Sequence, residues 1–313
     1  MIHSLARLFG RDSRGAHERR RVPGLTLRPA NLATRLERLR SVDGASAALS
    51  RTLRRALPPG SATDALHGVP LGQPAHPRMN GLPLGFWTSA AFLDLMPETE
   101  RATRALIAAG IAGTAPAALT GLADWSVLHR EQQRVGVAHA ATNTAATALF
   151  CASLIARSAG RQRSGKALSF TGLAVAGLGG YLGGHLAFHL AAGANHAEPV
   201  AHLASLGWHD LCALYELPDG RPVRREFGYI SVLVLREGSS VSAVADRCAH
   251  LGGPLHQGEL VSVGGDRCIS CPWHGSVFRI SDGVLVRGPA TSPQPAFDTR
   301  VSKSGMVQLH PRL

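Results

Sequence analysis

Four stretches of this chain hold no Asp, Glu, Lys or Arg: Met79–Leu93, Ala105–Ala123, Val135–Ala156 and Ala167–Ala197. At 1.5 Å rise per residue, the second and third match about 30 Å of hydrocarbon, and the fourth exceeds it. The first is shorter, carries Pro83, and is extended past Asp94 only to Met96. Four transmembrane helices are expected, against the plainer alternative of a soluble Ala/Gly-rich bundle. Gly179-x3-Gly183 and Gly180-x3-Gly184 in the fourth stretch suit close helix approach.

The formal net charge of +12 is unevenly placed. Residues 1–60 hold 13 Arg against 4 acids, residues 61–197 hold 9 bases against 6 acids, and residues 198–313 hold 11 of each. The chain thus reads as a basic tail (1–60), a nearly uncharged helical membrane part (61–197) and a neutral C-terminal domain (198–313). With aromatic residues at only 5%, one aromatic-packed core spanning all three is a poor fit, and five cysteines are too few for a disulfide scaffold. In the tail, Leu32, Leu36 and Leu39, then Leu49, Leu53 and Leu57, recur at helical spacing among arginines. Such a basic amphipathic segment suits the headgroups of a lipid bilayer. No motif supports nucleic-acid binding, and the Arg19–Arg21 run is not followed by the apolar stretch of a cleavable signal.

From Trp208 onward the pattern shortens. Runs such as Tyr229–Leu235 and Val284–Val286 alternate with the turn clusters Pro218-Asp219-Gly220, Glu237-Gly238-Ser239, Gly264-Gly265-Asp266 and Ser281-Asp282-Gly283. A small antiparallel β domain is expected. Within it lie Cys248-Ala249-His250 and, after twenty intervening residues, Cys271-Pro272-Trp273-His274. Two thiolates and two imidazoles, one of each from two loops, make a mixed sulfur–nitrogen metal site, and the spacing alone admits structural zinc. The surroundings disfavour zinc. Both loops are rich in Gly and Pro, as backbone that curls around a cluster must be, and no helix follows to carry the second pair.

The stretch RCAHLGGPLHQGEL…CPWHGSVF resembles the Rieske [2Fe–2S] family from about Trp208 to Leu309. The resemblance implies that Cys248 and Cys271 hold the buried iron of a [2Fe–2S] cluster, and His250 and His274 the outer iron. In the cytochrome bc type, each ligand loop carries a further cysteine and the two form a disulfide; here those positions are Gly253 and Trp273. Ser276 stands where that type places a hydroxyl donor to a cluster sulfide, and Phe278 where it has tyrosine. Fewer hydrogen bonds to the sulfurs imply a potential toward the low end of the Rieske range, as in ferredoxin-type domains. An oxygenase would need a second iron site downstream, and only 39 residues follow His274, with one histidine, His310. No Gly-x-Gly-x-x-Gly turn offers a nicotinamide or flavin site. Cys268 reads as a free thiol near the cluster, and Cys151 and Cys212 as packed residues.

The segment Leu66–Asn195 resembles an uncharacterised family of four-helix bacterial membrane domains (DUF2231-like), through His76-Pro77, Leu82-Pro83-Leu84-Gly85, Gly121-Leu122-Ala123-Asp124-Trp125 and Gly180-Tyr181-Leu182-Gly183-Gly184. Histidines at membrane depth are costly and often functional. His139, His185 and His189 are candidate ligands of a b-type haem; a quinone partner and a passive anchor are the other readings. Four spans place both termini on one side of the cell membrane. The arginine-rich tail, free thiols and lack of a disulfide put that side, with the Rieske domain, in the cytoplasm, whereas the arginines of the first and third short loops point the other way. The expected fold is an all-α four-helix transmembrane bundle followed by an all-β Rieske-type domain. The expected role is a one-electron carrier between a redox protein donor and acceptor. The alternatives are a membrane-tethered redox sensor and an electron-donating subunit of an oxygenase system.

Overall fold

The computed structural model describes residues 29–204 and 206–312; the Arg19–Arg21 run lies outside them. Helices α1 (Pro29–Glu37), α2 (Asp43–Ala56) and α3 (Ser61–His67) lead into four longer ones: α4 (Ala75–Leu93), α5 (Glu100–Trp125), α6 (Arg130–Ser158) and α7 (Gln162–Gly184). A π-helical turn, His185–His189, prolongs α7, and a short α8 (Pro199–Leu203) leads to the β domain. The four long helices match the four uncharged stretches. Two meet the length and apolarity needed to cross a membrane, Glu100–Trp125 and Gln162–His189. Only 22% and 28% of their apolar windows are buried, so this surface faces outward rather than into a soluble core. Phe92, Leu119, Ile155, Phe170, Leu178 and Phe188 extend the exposed apolar belt.

Inside the bundle, Trp87 of α4 stacks on Phe150 of α6 with centroids 4.1 Å apart and planes 12° apart, beside Ile107 and Ala90. At the end formed by the C-termini of α4 and α6, Arg157 donates to both carboxylate oxygens of Asp94, at 2.9 and 2.5 Å, and to Ser169. Both side chains are almost fully buried. A buried pair of this kind persists only because its partners satisfy each other. The opposite end carries the tail helices. Ala33 and Leu36 of α1 pack with Val135, Leu182, Leu186 and Leu190, and Ser50 of α2 donates to the Ser126 carbonyl at 3.1 Å. Ala33 and Leu36 of α1 are therefore spent on the bundle, while Leu39 and Leu49 stay exposed.

The β domain has two antiparallel sheets, of order β1-β10-β9-β4-β3-β2 and β5-β6-β7-β8. Their strands are β1 (His209–Ala213), β2 (Val223–Phe227), β3 (Ile230–Glu237), β4 (Ser240–Ala245), β5 (Glu259–Val263), β6 (Asp266–Ser270), β7 (Val277–Arg279), β8 (Leu285–Arg287), β9 (Ala296–Val301) and β10 (Met306–Pro311). The expected runs Tyr229–Leu235 and Val284–Val286 fall on β3 and β8. Strand alternation splits β3 between two cores. Val232 and Val234 join Phe227, Phe297 and Leu309, while Leu233 and Leu235 share a core with Ile269, Phe278, Cys248 and Cys271. The second core roots the ligand loops in the rigid part of the domain.

Candidate metal centre

Cys248 and His250 sit on the loop from β4 to β5, and Cys271 and His274 on the loop from β6 to β7. The two loops have the same backbone plan. The Cys248 N–H donates to the Gly253 carbonyl at 2.9 Å and its carbonyl accepts from Gly252 at 2.8 Å; Cys271 does the same with Ser276, 2.8 Å, and Gly275, 3.0 Å. Gly252 and Gly275 have φ of +76° and +75°, a left-handed conformation that a side chain resists. The repeated plan turns successive N–H groups inward. Those of His250 and Leu251 reach the Cys248 sulfur, and those of Trp273 and His274 reach the Cys271 sulfur.

The structure brings the four residues together as two like pairs. The thiols hydrogen-bond each other, and the imidazole centroids of His250 and His274 are 5.0 Å apart, with the rings perpendicular. The Cys271 thiol is drawn down to about 7 by the Cys248 hydrogen bond, with help from the two loop N–H groups against burial. Cys248, the donor in that bond and deeply buried, is pushed up. Burial holds His274 down to about 4, with His129 and Arg54 adding positive charge nearby, and lowers His250 further. Both imidazoles are thus neutral, as metal ligands must be. Nδ1 of His250 is buried without a hydrogen-bond partner among the described residues. A buried, unpartnered ring nitrogen two residues along the loop from Cys248 suits metal coordination. The donor set, two thiols paired with each other and two neutral imidazoles paired with each other, fits a two-iron cluster.

Neighbouring residues stiffen the centre. Gln294 bridges the first loop, accepting from the Ala249 N–H at 3.0 Å and donating to the Ala245 and Arg247 carbonyls at 2.8 and 2.6 Å. Asp246 accepts from the His256 N–H and binds its ring, which gives His256 a bracing role in the loop. Ser276 accepts from the Ala290 N–H at 2.9 Å, which leaves its own hydroxyl hydrogen to donate. A Cβ built on Gly253 would lie 3.0 Å from the Cys271 sulfur and 3.1 Å from Trp273 Cγ, so the two positions expected to replace a disulfide are in contact. Cys268 is fully buried, and burial raises its thiol.

Sequence reasoning missed the surface facing His250 and His274. The cluster end of the β domain rests on the helical part: His129 lies edge-on to Trp273 at 5.4 Å and near His274 at 6.2 Å. The His196 N–H donates to the Ala249 carbonyl at 2.9 Å, and the Gly288 N–H to Asp64 at 3.0 Å. His250 lines a cleft with Asn195, Ser292 and the His67–Asp124 pair, which is joined at 2.7 Å. His274 lines a second cleft with Arg54 and Asp64. No local pattern marks these residues, because they come from separate helices.

The three candidate haem histidines do not form one site. His139 hydrogen-bonds the Gly179 carbonyl at 2.8 Å and lies 6.0 Å from His76, ring to ring. His185 and His189 stack nearly parallel on one helical turn, 4.5 Å apart, and His185 bonds Glu37 at 2.7 Å. Side-by-side rings on one turn cannot occupy opposite faces of a porphyrin, and nothing in the structure supports haem.

Two family models match the chain: the Rieske [2Fe-2S] domain over residues 207–298 and the predicted membrane protein family DUF2231 over residues 72–196. The anthranilate 1,2-dioxygenase ferredoxin subunit of Burkholderia cepacia is 30% identical over 103 residues, which cover 33% of this chain and 91% of that protein. Apoptosis-inducing factor 3 of Mus musculus is 33% identical over 93 residues, 30% of this chain, and the chain spans only 15% of that relative's length. The cytochrome b6-f complex iron-sulfur subunit of Chlorobaculum tepidum is 28% identical over 92 residues, 29% of this chain and 48% of that protein. A Rieske domain implies a [2Fe–2S] cluster, and the paired thiols and imidazoles are suited to one. The chain belongs to the Rieske [2Fe–2S] family, carried here on the same polypeptide as a match to the predicted membrane protein family DUF2231.

Proposed function

We propose that this protein is a membrane-anchored one-electron carrier, with Cys248 and Cys271 on one iron of the cluster and His250 and His274 on the other. The reading rests on one observation: matching loops present thiol beside thiol and imidazole beside imidazole, with the His250 Nδ1 lone pair unspent. When bound, the cluster supplies a centre that takes up and returns a single electron, at a potential above that of all-cysteine clusters. The chain's residues hold it. Loop N–H groups of His250, Leu251, Trp273 and His274 stabilise negative sulfur, Ser276 offers a hydroxyl hydrogen, and Gln294 and Asp246 fix the first loop. Helices α4–α7 anchor the domain as a four-pass bundle in the cell membrane, and the arginine-rich tail favours a cytoplasmic Rieske domain. In domain terms, a tail (1–60), a membrane part (61–197) and the cluster domain (198–313) divide the labour.

Donor and acceptor are redox proteins in this reading, as the ferredoxin-subunit relative suggests. The cleft shared by His250 and the His67–Asp124 pair favours a second reading, in which a small lipid-phase carrier such as a quinone meets the cluster at the domain junction. The test is anaerobic purification of the full chain, with iron and acid-labile sulfide assayed per chain and the reduced protein examined by EPR. Two irons, two sulfides and a rhombic signal lost in His274→Ala are expected. Absence of labile sulfide overturns the assignment.

A further inference from the structure

Glu37, His185 and His189 offer a carboxylate oxygen and two imidazole nitrogens that lie within 4.8 Å of one another. We propose that they bind one zinc-class divalent cation, which ties helix α1 to the end of the membrane bundle. The site is independent of the iron–sulfur centre. Its parts come from opposite ends of the helical region, since His185 and Glu37 are 148 residues apart in sequence.

Three features make the trio a built site. First, the π-helical turn, closed by the Leu190 N–H on the His185 carbonyl at 3.0 Å, sets the two imidazoles side by side; single π turns concentrate at functional sites. Second, Glu37 is held in place: Arg134 donates to its carbonyl at 2.7 Å and grips the Asp43 carboxylate with two further bonds of 2.7 Å. Leu36, the residue before it, packs in the cluster of Val135, Leu182, Leu186 and Leu190. Third, access is one-sided. The His185 and Glu37 side chains are 9% and 17% exposed, whereas His189 is 61% exposed, which leaves room for water to complete the coordination.

Both imidazoles address the same carboxylate oxygen, His185 Nε2 at 2.7 Å and His189 Nε2 at 3.8 Å. Zinc takes nitrogen at about 2.0–2.1 Å and carboxylate oxygen at about 2.0–2.2 Å, which sets tetrahedral ligand atoms about 3.4 Å apart. One contact must open by about 0.7 Å and the other close by about 0.4 Å, within the reach of side-chain rotation. Two imidazoles and one carboxylate with an open position form a donor set for zinc and its first-row neighbours. Coordination through Nε2 moves the hydrogen on that nitrogen to Nδ1 of the same ring, and no electron is transferred, so no redox partner is needed.

The experiment is equilibrium dialysis of the full, cluster-loaded protein in detergent against buffered Zn2+, with zinc and iron measured in the same sample. One zinc per chain, beyond the cluster iron, is expected. Glu37→Gln and His189→Ala should each weaken it by about 100-fold or more, at or beyond the top of the range for supporting residues. His189→Ala removes an exposed side chain, so retained iron and an unchanged EPR spectrum will show that the fold is intact. His202→Ala, at an exposed Glu198 pair, should leave zinc binding unchanged. Failure of the wild-type protein to hold zinc, or equal zinc binding by wild type, Glu37→Gln and His189→Ala, overturns the proposal.

Discussion

Replacing both Gly253 and Trp273 by cysteine tests whether the ligand loops lie against each other as described. The Cβ built on Gly253 is 3.1 Å from Trp273 Cγ, and one carbon–carbon bond of about 1.5 Å separates that atom from the Trp273 Cβ. The two Cβ atoms are therefore no more than about 4.6 Å apart, against the roughly 3.5–4.5 Å of a disulfide. The bond would close a loop of about 21 residues. Loop-closure entropy of about 11 cal/mol/K then gives about 3 kcal/mol at room temperature. In a domain of this size each kcal/mol moves the midpoint by about 4–8 °C, so oxidised and reduced forms of the double variant should melt about 12–24 °C apart. Comparing two redox states of one variant cancels the loss of the indole. The assay is thermal melting of cluster-loaded protein with and without reductant, with alkylation counting free thiols. The companion variant Gly253→Ala, with Trp273 kept, forces a methyl against the Cys271 sulfur and should cost about 1–3 kcal/mol. If both introduced thiols stay alkylatable after oxidation, or the two forms melt together, the two loops do not pack against each other at Gly253 and Trp273.

Ser276→Ala should lower the cluster's midpoint potential. Loss of about 1 kcal/mol of hydrogen bonding that strengthens on reduction corresponds to about 40 mV for one electron, measurable by redox titration followed by EPR. Asp94→Ala strands the fully buried Arg157 guanidinium and should destabilise the helical domain by about 3–5 kcal/mol, seen as a collapsed melting midpoint in detergent. Burial holds His196 below the ordinary histidine value at the domain junction, with the Ala191 carbonyl opposing and Arg247 reinforcing the shift. Released from the junction it binds a proton more readily, so its contribution to docking is present above about pH 6.5 and is lost as pH falls. Hydrogen exchange around residues 191–205 should therefore rise between pH 7.5 and 5.5, and His196→Gln should flatten that dependence.

The legible part of the centre was its local chemistry. A cysteine and a histidine two or three residues apart, flanked by glycines, can reach one metal centre only from a curled loop, so Cys248, His250, Cys271 and His274 could be singled out as candidates before any fold was known. The uncharged stretches likewise marked four long helices, since hydropathy is a property of composition. The haem expectation gained no support, and periodicity could not test it, because it shows which residues share a helix but not what faces them: His185 and His189 turned toward Glu37, and His139 toward His76.

Ligand spacing, turn glycines and apolar runs act over a few residues and need no partner from elsewhere, which is why the sequence alone determined the cluster type and the two-part, helical then β, architecture. The contacts His129–Trp273, His67–Asp124, Asp94–Arg157 and Glu37–His185 join residues from 57 to 148 positions apart. Such contacts depend on how separately folded elements pack, and only the tertiary structure decided them.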